Sequence, residues 1–546
     1  MLTSNSKNRI RRLKCGEEKP SCLRCIKSGW HCDGYEHVPK LPSIGAMGLA
    51  PIRSRTLSTS PSASPTPAQS TTFTVPQLDD REAAYFQTFF KDVAPQFQDC
   101  VALWNFARKA SKSSYSIRHG LVALGALSKS AKRSSSNHYR VDLPQGTHRE
   151  LALEQYQKAL SGLRESIGGI GRGRPVRTTL VSCLILSCFE NFLGNAGFSL
   201  QHVTWARHVL SSSVSPKANP STSMDVEEGE DIVTTAFYLM DLQALLLLGS
   251  DEKRTYFKFD QRDPIISLPA KFATLDEAKK ARHMLVWNGY RTVYLTDFYQ
   301  YGPIEAIPLS VIEMRDDLVS QIYVLHQQID LLLLGSKPDL HLHPLARPEA
   351  IKVYSTTLLI RLAMSLQAPQ ITSDALLPEF EYLLTMARAA LEYEAEGCQL
   401  IQGKHTHYTR PNGISSTFEG TIIDMKQHLT RKIEGEVYCV EVRTLNILHL
   451  IATRCREPSI RRQAIALLLA VHRRESMYDS VLAGKVGQWM MDIEEEAVDE
   501  NGDIPEYARA WGECVELELH QRRAKVKCRQ NVLGGGWIWR ETQISW

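Results

Sequence analysis

Residues 9–32 read RIRRLKCGEEKPSCLRCIKSGWHC. Four cysteines fall within eighteen residues, with gaps of six, two and six residues between Cys15, Cys22, Cys25 and Cys32. Arg9, Arg11, Arg12 and Lys14 stand directly upstream. Thiolates this close repel one another unless they are protonated, paired or bound to a metal. Four sulfurs complete one tetrahedral Zn²⁺ site. A segment this short buries too little apolar surface to fold alone, so metal binding would supply its folding free energy. The competing reading is a reduced, flexible cysteine-rich arm; the spacing favours metal.

Extended to Tyr35, the stretch resembles the fungal Zn2Cys6 binuclear-cluster transcription factors. Their pattern carries six cysteines, a basic helix after the second, and a Lys-Pro turn in the central loop. Cys15, Cys22, Cys25 and Cys32 match the third to sixth cysteines, Lys19-Pro20 the turn, and Arg9, Arg11, Arg12 and Lys14 the basic helix. The positions of the first two cysteines, 5 and 8, are both Asn. In the family the first and fourth cysteines bridge two zinc ions. Here one metal would keep only Cys15 and Cys22, and the other Cys22, Cys25 and Cys32. Neutral amide oxygens are poor zinc ligands beside thiolates, so a binuclear cluster is not expected. A single four-thiolate site is open, and so is a first segment, Met1 to Lys7, read from the wrong exon.

Length and charge fit a small head on a large body. The chain has 546 residues, 43% of them hydrophobic and 23% charged, which is ordinary for a globular protein with more than one folding unit. Through Lys40, nine Lys/Arg stand against four acids, a surplus of five, while the whole chain carries +4. The remainder is therefore close to neutral. A basic head on a neutral body suits a polyanion-binding module. The other eight cysteines are scattered singly, without disulfide spacing, which reads as a reducing compartment. The basic start lacks an apolar signal core, and no run approaches the length needed to cross a bilayer, so no membrane partner is expected.

From Val38 to about Pro76 the composition turns to Pro, Ser and Thr, as in Ser58-Thr59-Ser60-Pro61-Ser62. This reads as a disordered tether without heptads. Helical periodicity begins near Asp79. Leu121, Leu124 and Leu127 repeat every three residues; Leu151, Leu153, Tyr156, Leu160, Leu163 and Ile167 follow within 149–167; Thr178 to Leu193 is nearly all apolar and stops at Gly194. Further helices are expected at about 228–249, 274–299, 309–335, 348–367, 376–396, 436–454, 458–474 and 504–520. Arg523 to Arg529 alternates with period two, and Gly534–Gly536 then Trp537-Ile538-Trp539 complete a hairpin signal. Capping the helical body is its favoured role, with contact to nucleic acid the alternative. The fold class is mainly α: a zinc-cluster-like module at 1–36, a linker at 37–77, and a large helical domain at 78–546 with a C-terminal hairpin. The body also resembles, at lower specificity, the fungal-specific regulatory region that follows such clusters. In that family the region is helical and associated with effector response.

Other motifs carry less. Gly168 to Arg174 is Gly-rich and basic but lacks a Gly-Lys-Ser/Thr ending, so it reads as a loop. His341 and His343, and His405 and His407, lack an obvious third ligand. Cys183 and Cys188 read as core thiols. Asp499-x-Asn501-x-Asp503 starts like a calcium loop, but Ile504 and Ala510 occupy its essential Gly and Glu positions. Trp489 to Glu496 mixes acids with bulky apolar residues and reads as a solvated helix end.

The resemblance implies a zinc-dependent, sequence-specific regulator of RNA polymerase II genes, not an enzyme, acting in the nucleus on double-stranded DNA with the transcription machinery. It implies pairing into homodimers on CGG-type triplets. Arg12 is the expected base contact, pairing bidentately with guanine. Arg11 and Lys14 would touch bases or phosphates, and Arg9, Arg24 and Lys27 phosphates. Two other classes stay open: a regulatory or interaction protein with a degenerate zinc cluster, and a helical enzyme, against which no nucleophile–base or cofactor signature is found.

Overall fold

Chain contacts divide the protein into two units, Met1–Phe73 and Thr74–Trp546. The computed structural model describes residues 78–96, 101–131, 147–168, 176–213, 268–297, 299, 304–335, 342–366, 368–401, 437–439, 443–476, 478–518, 521–533 and 536–546, all within the second unit. The cysteine module, the tether and the helix expected at 228–249 lie outside the described residues.

The first six helices among the described residues share one core. They are α1 (Asp80–Thr88), α2 (Val101–Ala110), α3 (Tyr115–Ala131), α4 (Thr147–Gly168), α5 (Val176–Leu193) and α6 (Ala196–Ser213). A capping box starts α1: Glu82 N donates to Asp79 Oδ1 at 2.7 Å, and Asp79 N donates to Glu82 Oε2 at 3.3 Å. The chain then widens into a π-turn, Phe89–Val93. On α3, Leu121, Leu124 and Leu127 are all buried, as their spacing predicts. On α4, Leu153 is exposed, because two residues on from Leu151 is slightly more than half a turn, on the opposite side of the helix. Every residue of α5 from Thr179 to Asn191 is buried. A helix apolar on all sides belongs in a core, and although α5 has the length and hydropathy of a membrane span, most of it packs inside the protein. It ends where predicted: Gly194 takes φ 82° and Asn195 N reaches back to Glu190 O at 2.9 Å.

The second set is α7 (Leu275–Asp297), α8 (Leu309–Leu333), α9 (Val353–Ala363), α10 (Leu377–Ile401), α11 (Thr444–Arg454), α12 (Pro458–Ala470) and α13 (Ser480–Glu495). Leu285, Ile322, Leu325 and Leu358 join α7, α8 and α9 in one cluster. Ile360, Phe380, Leu448, Ile465 and Leu468 join α9 to α12 in another. Pro458 opens α12 with Glu457 as its cap, and Asp479 caps α13 through Leu482 N at 3.0 Å. Three short strands, β1 (Val437–Cys439), β2 (Arg473–Glu475) and β3 (Tyr478–Asp479), form a small sheet, parallel at β1–β2 and antiparallel at β2–β3. The helices expected at 436–454 and 458–474 are therefore shorter, each yielding one end to this sheet.

The C-terminus departs most from expectation. The hairpin is present as β5 (Arg523–Asn531) and β6 (Trp537–Ser545), and a third strand, β4 (Ala510–Glu518), pairs antiparallel with β5. The helix expected at 504–520 does not form. Trp511, Cys514 and Val515 mimic helical spacing, but Val515 and Leu517 alternate with Glu516 and Glu518, and strand pairing wins. The inner face of the sheet, with Ala524, Val526, Cys528 and Ile544, packs on Leu482, Val486, Met490 and Ile493 of α13. The hairpin thus caps the helical body. The reading of 489–496 as a solvated end is corrected too: Met490, Met491, Ile493 and Glu494 are buried.

Candidate functional site

The sequence-predicted ligands Cys15, Cys22, Cys25 and Cys32, and the DNA-contact candidates Arg9, Arg11, Arg12, Lys14, Arg24 and Lys27, lie outside the described residues. Their donor chemistry still tests the fit. Four thiolates accommodate one zinc ion, and Asn5 and Asn8 leave the bridged two-zinc arrangement without the thiolates it needs. Among the described residues no group of His, Cys, Asp and Glu has the geometry to hold a metal. His341, His405, His407 and most of the Gly168–Arg174 stretch are outside the described residues. His343 hydrogen-bonds Glu394 at 3.0 Å. Cys183 and Cys188 are buried free thiols, and burial pushes the Cys183 pKa up to about 12. Asp499 Oδ1 accepts from Asn501 N and Asp503 N, both at 2.9 Å, an Asx turn that explains the motif without calcium.

The described body holds its charges in buried hubs that the sequence reading missed. Glu494 of α13 has no exposed side-chain surface. Its Oε1 accepts from Arg456 Nη2 at 2.7 Å and from Ala510 N at 2.5 Å, and its Oε2 from Arg461 Nη1 at 2.6 Å. Burial alone raises the Glu494 carboxyl, but Arg456 and Arg461 outweigh it and hold the pKa below the ordinary value. One carboxylate thus ties α11–α12, α13 and the first residue of β4 together. A second hub sits at the small sheet. Glu475 accepts from Arg443 N at 2.7 Å, Leu445 N at 2.9 Å and Arg473 Nε at 2.7 Å, and Arg473 also pairs with Glu394 of α10. Burial raises the Glu394 carboxyl; Arg473 and then the His343 hydrogen bond overcome this and bring it down to about 2.

In the first bundle, Gln155 bridges two partners, donating from Nε2 to Glu82 Oε1 at 2.6 Å while His119 Nδ1 contacts its Oε1 at 2.5 Å. Tyr156 stacks on Phe189 and hydrogen-bonds Glu190, with His202 Nε2 at 3.2 Å from its hydroxyl; burial brings His202 down to about 4. On the outer face of the C-terminal sheet, the Arg529 guanidinium lies 5.3, 4.2 and 4.9 Å from the ring centroids of Trp511, Trp537 and Trp539. Cation–π contact accounts for tryptophans left in solvent. Lys525–Glu541 at 3.0 Å and Lys527–Glu516 at 3.7 Å continue that face as a charge ladder.

None of these hubs assembles a nucleophile, base and oxyanion donors around a reacting atom; they are devices for holding helices in register. Comparison with known proteins points the same way. Residues 84–392, more than half of the chain, match the fungal specific transcription factor domain, and residues 9–41 match the fungal Zn(2)-Cys(6) binuclear cluster domain. The transcription regulator lscL of Purpureocillium lilacinum is 28% identical over 36% of this chain and 46% of its own. The aspercryptin biosynthesis cluster-specific transcription regulator atnN of Emericella nidulans is 25% identical over 59% of this chain and 51% of its own. An uncharacterized transcriptional regulatory protein of Schizosaccharomyces pombe is 56% identical over 32 residues, 6% of each chain. The chain thus spans about half the length of the first two of these relatives. No solved structure matches it. With the cluster domain at its head and the regulatory domain over most of its body, the chain belongs to the fungal specific transcription factor family, a family of transcription regulators.

Proposed function

We propose that this regulator acts through sequence-specific binding of double-stranded DNA by residues 1–36, joined by a tether at 37–77 to a regulatory body at 78–546. The observation that carries the reading is the pairing of Cys15, Cys22, Cys25 and Cys32 with the cations Arg9 to Lys14, inside the span that matches the cluster domain. Zinc on the four thiolates would supply the head's folding free energy and fix the basic segment. Arg12 reads guanine in a CGG-type site, assisted by Arg11 and Lys14, while Arg9, Arg24 and Lys27 hold phosphates. A single head makes few phosphate contacts, so it binds weakly, and both affinity and salt dependence grow on pairing two chains on two triplets. The site of action on this reading is the nucleus, with the transcription machinery as partner.

Asn5 and Asn8 support a second reading, an interaction protein whose cluster no longer binds DNA. Native mass spectrometry and mobility-shift titration of the full chain separate the two. One zinc per chain with salt-sensitive preference for CGG duplexes supports the first. No preference over a scrambled duplex, in a chain whose body is folded, supports the second. Restoring the family pattern with Asn5→Cys plus Asn8→Cys should raise the zinc count to two and tighten specific binding.

A further inference from the structure

The two edges of the C-terminal sheet differ in how they are guarded. In β4 the register against β5 slips between Trp511 and Cys514, Gly512 takes φ 63°, and Ala510 N is held by Glu494 Oε1. A bulge of this kind turns an edge away from further strands. β6 has none of these defences. It runs nine residues against β5 in one unbroken register, without proline. Its first three residues keep nearly half of their surface in water, 45% for Trp537, 44% for Ile538 and 43% for Trp539. Arg529 accounts for the two indoles, but Ile538 alternates to the other face and gains nothing from that cation.

Two bonds at the ends of the hairpin fix which backbone groups of β6 are already spent. Val532 N donates to Gly536 O at one end and Trp546 N to Arg522 O at the other, both at 3.1 Å. Bonded and unbonded pairs alternate along an antiparallel ladder. In this register the residues of β6 that exchange bonds with β5 are therefore Ile538, Arg540, Thr542 and Ile544. Trp537, Trp539, Glu541, Gln543 and Ser545 turn their N–H and C=O groups away from β5. Ser545 O accepts from Lys485 Nζ at 2.6 Å, as an outward carbonyl can. Trp537, Trp539, Glu541 and Gln543 are left with a row of alternating donors and acceptors to which no described residue bonds. A row with this two-residue repeat fits another strand.

A second copy of β6 fits this edge poorly. Two-fold pairing sets outward residues opposite outward residues, and the register with the longest overlap puts Glu541 against its own copy. Of the two next longest, one does the same to Arg540, and the other needs the Ser545 carbonyl that Lys485 holds. Like charges directly opposite each other destabilise a pair of strands. The edge is also small, about 30 Å by about 10 Å on each side and so roughly 600 Å² in all, against about 1,200–2,000 Å² for a stable pair of proteins. We propose that β6 is a strand-addition site for an extended peptide of a partner protein, with β-branched residues opposite Trp537 and Trp539 and a lysine or arginine opposite Glu541. The peptide runs antiparallel, the more stable pairing and the one the sheet already uses. Its backbone supplies affinity through the open groups of β6, while aromatic–β-branched pairs and the charge at Glu541 set its register. Glu541 already meets Lys525 at 3.0 Å but keeps about half of its side chain in water, and a carboxylate has lone pairs for a second cation. The site lies beyond the residues matched to the family domain, and its occupation does not depend on whether the head binds DNA.

Fluorescence polarisation with the full chain tests this, and most of the changes are made in the probe. The probe is a labelled Thr-Thr-Lys-Thr-Val-Ile-Val peptide, whose lysine and two valines fall opposite Glu541, Trp539 and Trp537. N-methyl groups on the lysine and the first valine block amides that face β6 and should weaken binding about tenfold or more. The same groups on the third threonine and the isoleucine face away and should leave binding unchanged. Exchanging the peptide's lysine for glutamate should weaken binding about fivefold, and Glu541→Lys in the chain should reverse that preference. In the unmodified chain, peptide should slow amide hydrogen exchange at Trp539, Glu541 and Gln543 and leave it unchanged at Arg540 and Thr542, which β5 already holds. Equal effects of the two methylation patterns, or no binding, overturn the proposal. So does protection of the same amides when the chain alone is concentrated, which gives the edge to a second copy, or displacement of the peptide by a single-stranded oligonucleotide, which gives the face to nucleic acid.

Discussion

Glu494 is a single carboxylate on which three segments converge, and its chemistry sets how the body responds to change. Glu494→Gln would leave Arg456 and Arg461 buried against a neutral amide. Breaking a buried pair in this way costs about 3–5 kcal/mol, read as a fall in the urea midpoint with the slope unchanged. Acid acts on the same kind of group. Glu394 falls from an ordinary 4.5 to about 2 in the folded chain. Its contribution is complete above the unfolded value and is lost as pH drops from 4.5 through about 2. Glu394→Gln should therefore flatten the acid limb of a stability–pH curve within that window and leave its shape unchanged above it. In the head, Arg12→Ala should remove preference for CGG duplexes at a cost of about 1–3 kcal/mol, whereas Arg24→Ala should weaken all duplexes alike. Equal losses for both variants would contradict the division between base and phosphate contacts.

Between helices, close approach is set by what a glycine lacks. A Cβ on Gly125 of α3 would stand 2.0 Å from Tyr85 O and 3.2 Å from Phe89 N, where α1 passes into its π-turn. Neither atom is a flexible side-chain end. Gly125→Ala should cost at least the roughly 1–3 kcal/mol of ordinary overpacking and lower the melting temperature. Gly197, at the start of α6, meets nothing within 4 Å, so Gly197→Ala should stabilise by about 0.4–1 kcal/mol. The two alanines have the same helix propensity, and only the neighbour differs. Elements of this kind were legible in the sequence where periodicity was strong: α3, α4 and α5 stand where Leu121 to Leu127, the 149–167 run and Thr178 to Leu193 put them. The strand β4 was not, because Gly512 breaks its alternation with a bulge. Helix α13 was not, because Glu494 looks like a surface residue until Arg456 and Arg461 arrive from elsewhere in the chain. The charge hubs were not legible either, since each joins residues dozens of positions apart.

At the scale of the molecule, the family match ends at residue 392, but the packing does not. Arg509 forks onto Asp374 with bonds of 2.8 and 2.7 Å, and Glu506 accepts from Gln370 N and Ile371 N at 2.8 and 2.7 Å. Lys485 reaches Ser545 O at 2.6 Å. A chain cut after 392 loses α11 to α13, the sheet and both charge hubs, and leaves Phe380, Leu383 and Leu391 of α10 uncovered. Residues 78–392 should therefore aggregate or resist concentration, while 78–546 should give a helical circular dichroism spectrum unchanged by chelator. Loss of helicity on chelation would show that the body folds around a metal of its own. The sheet at the far end also carries its own optical label. The indoles of Trp537 and Trp539 stand 5.5 Å apart with planes at 84°, close and crossed enough for their electronic transitions to couple. That coupling produces a paired positive and negative ultraviolet dichroism signal that isolated indoles do not give, and a neighbouring guanidinium tunes its energy. Detachment of the last three strands would erase this couplet while the helices still absorbed as helices, so the order in which the molecule comes apart is written in its own spectrum.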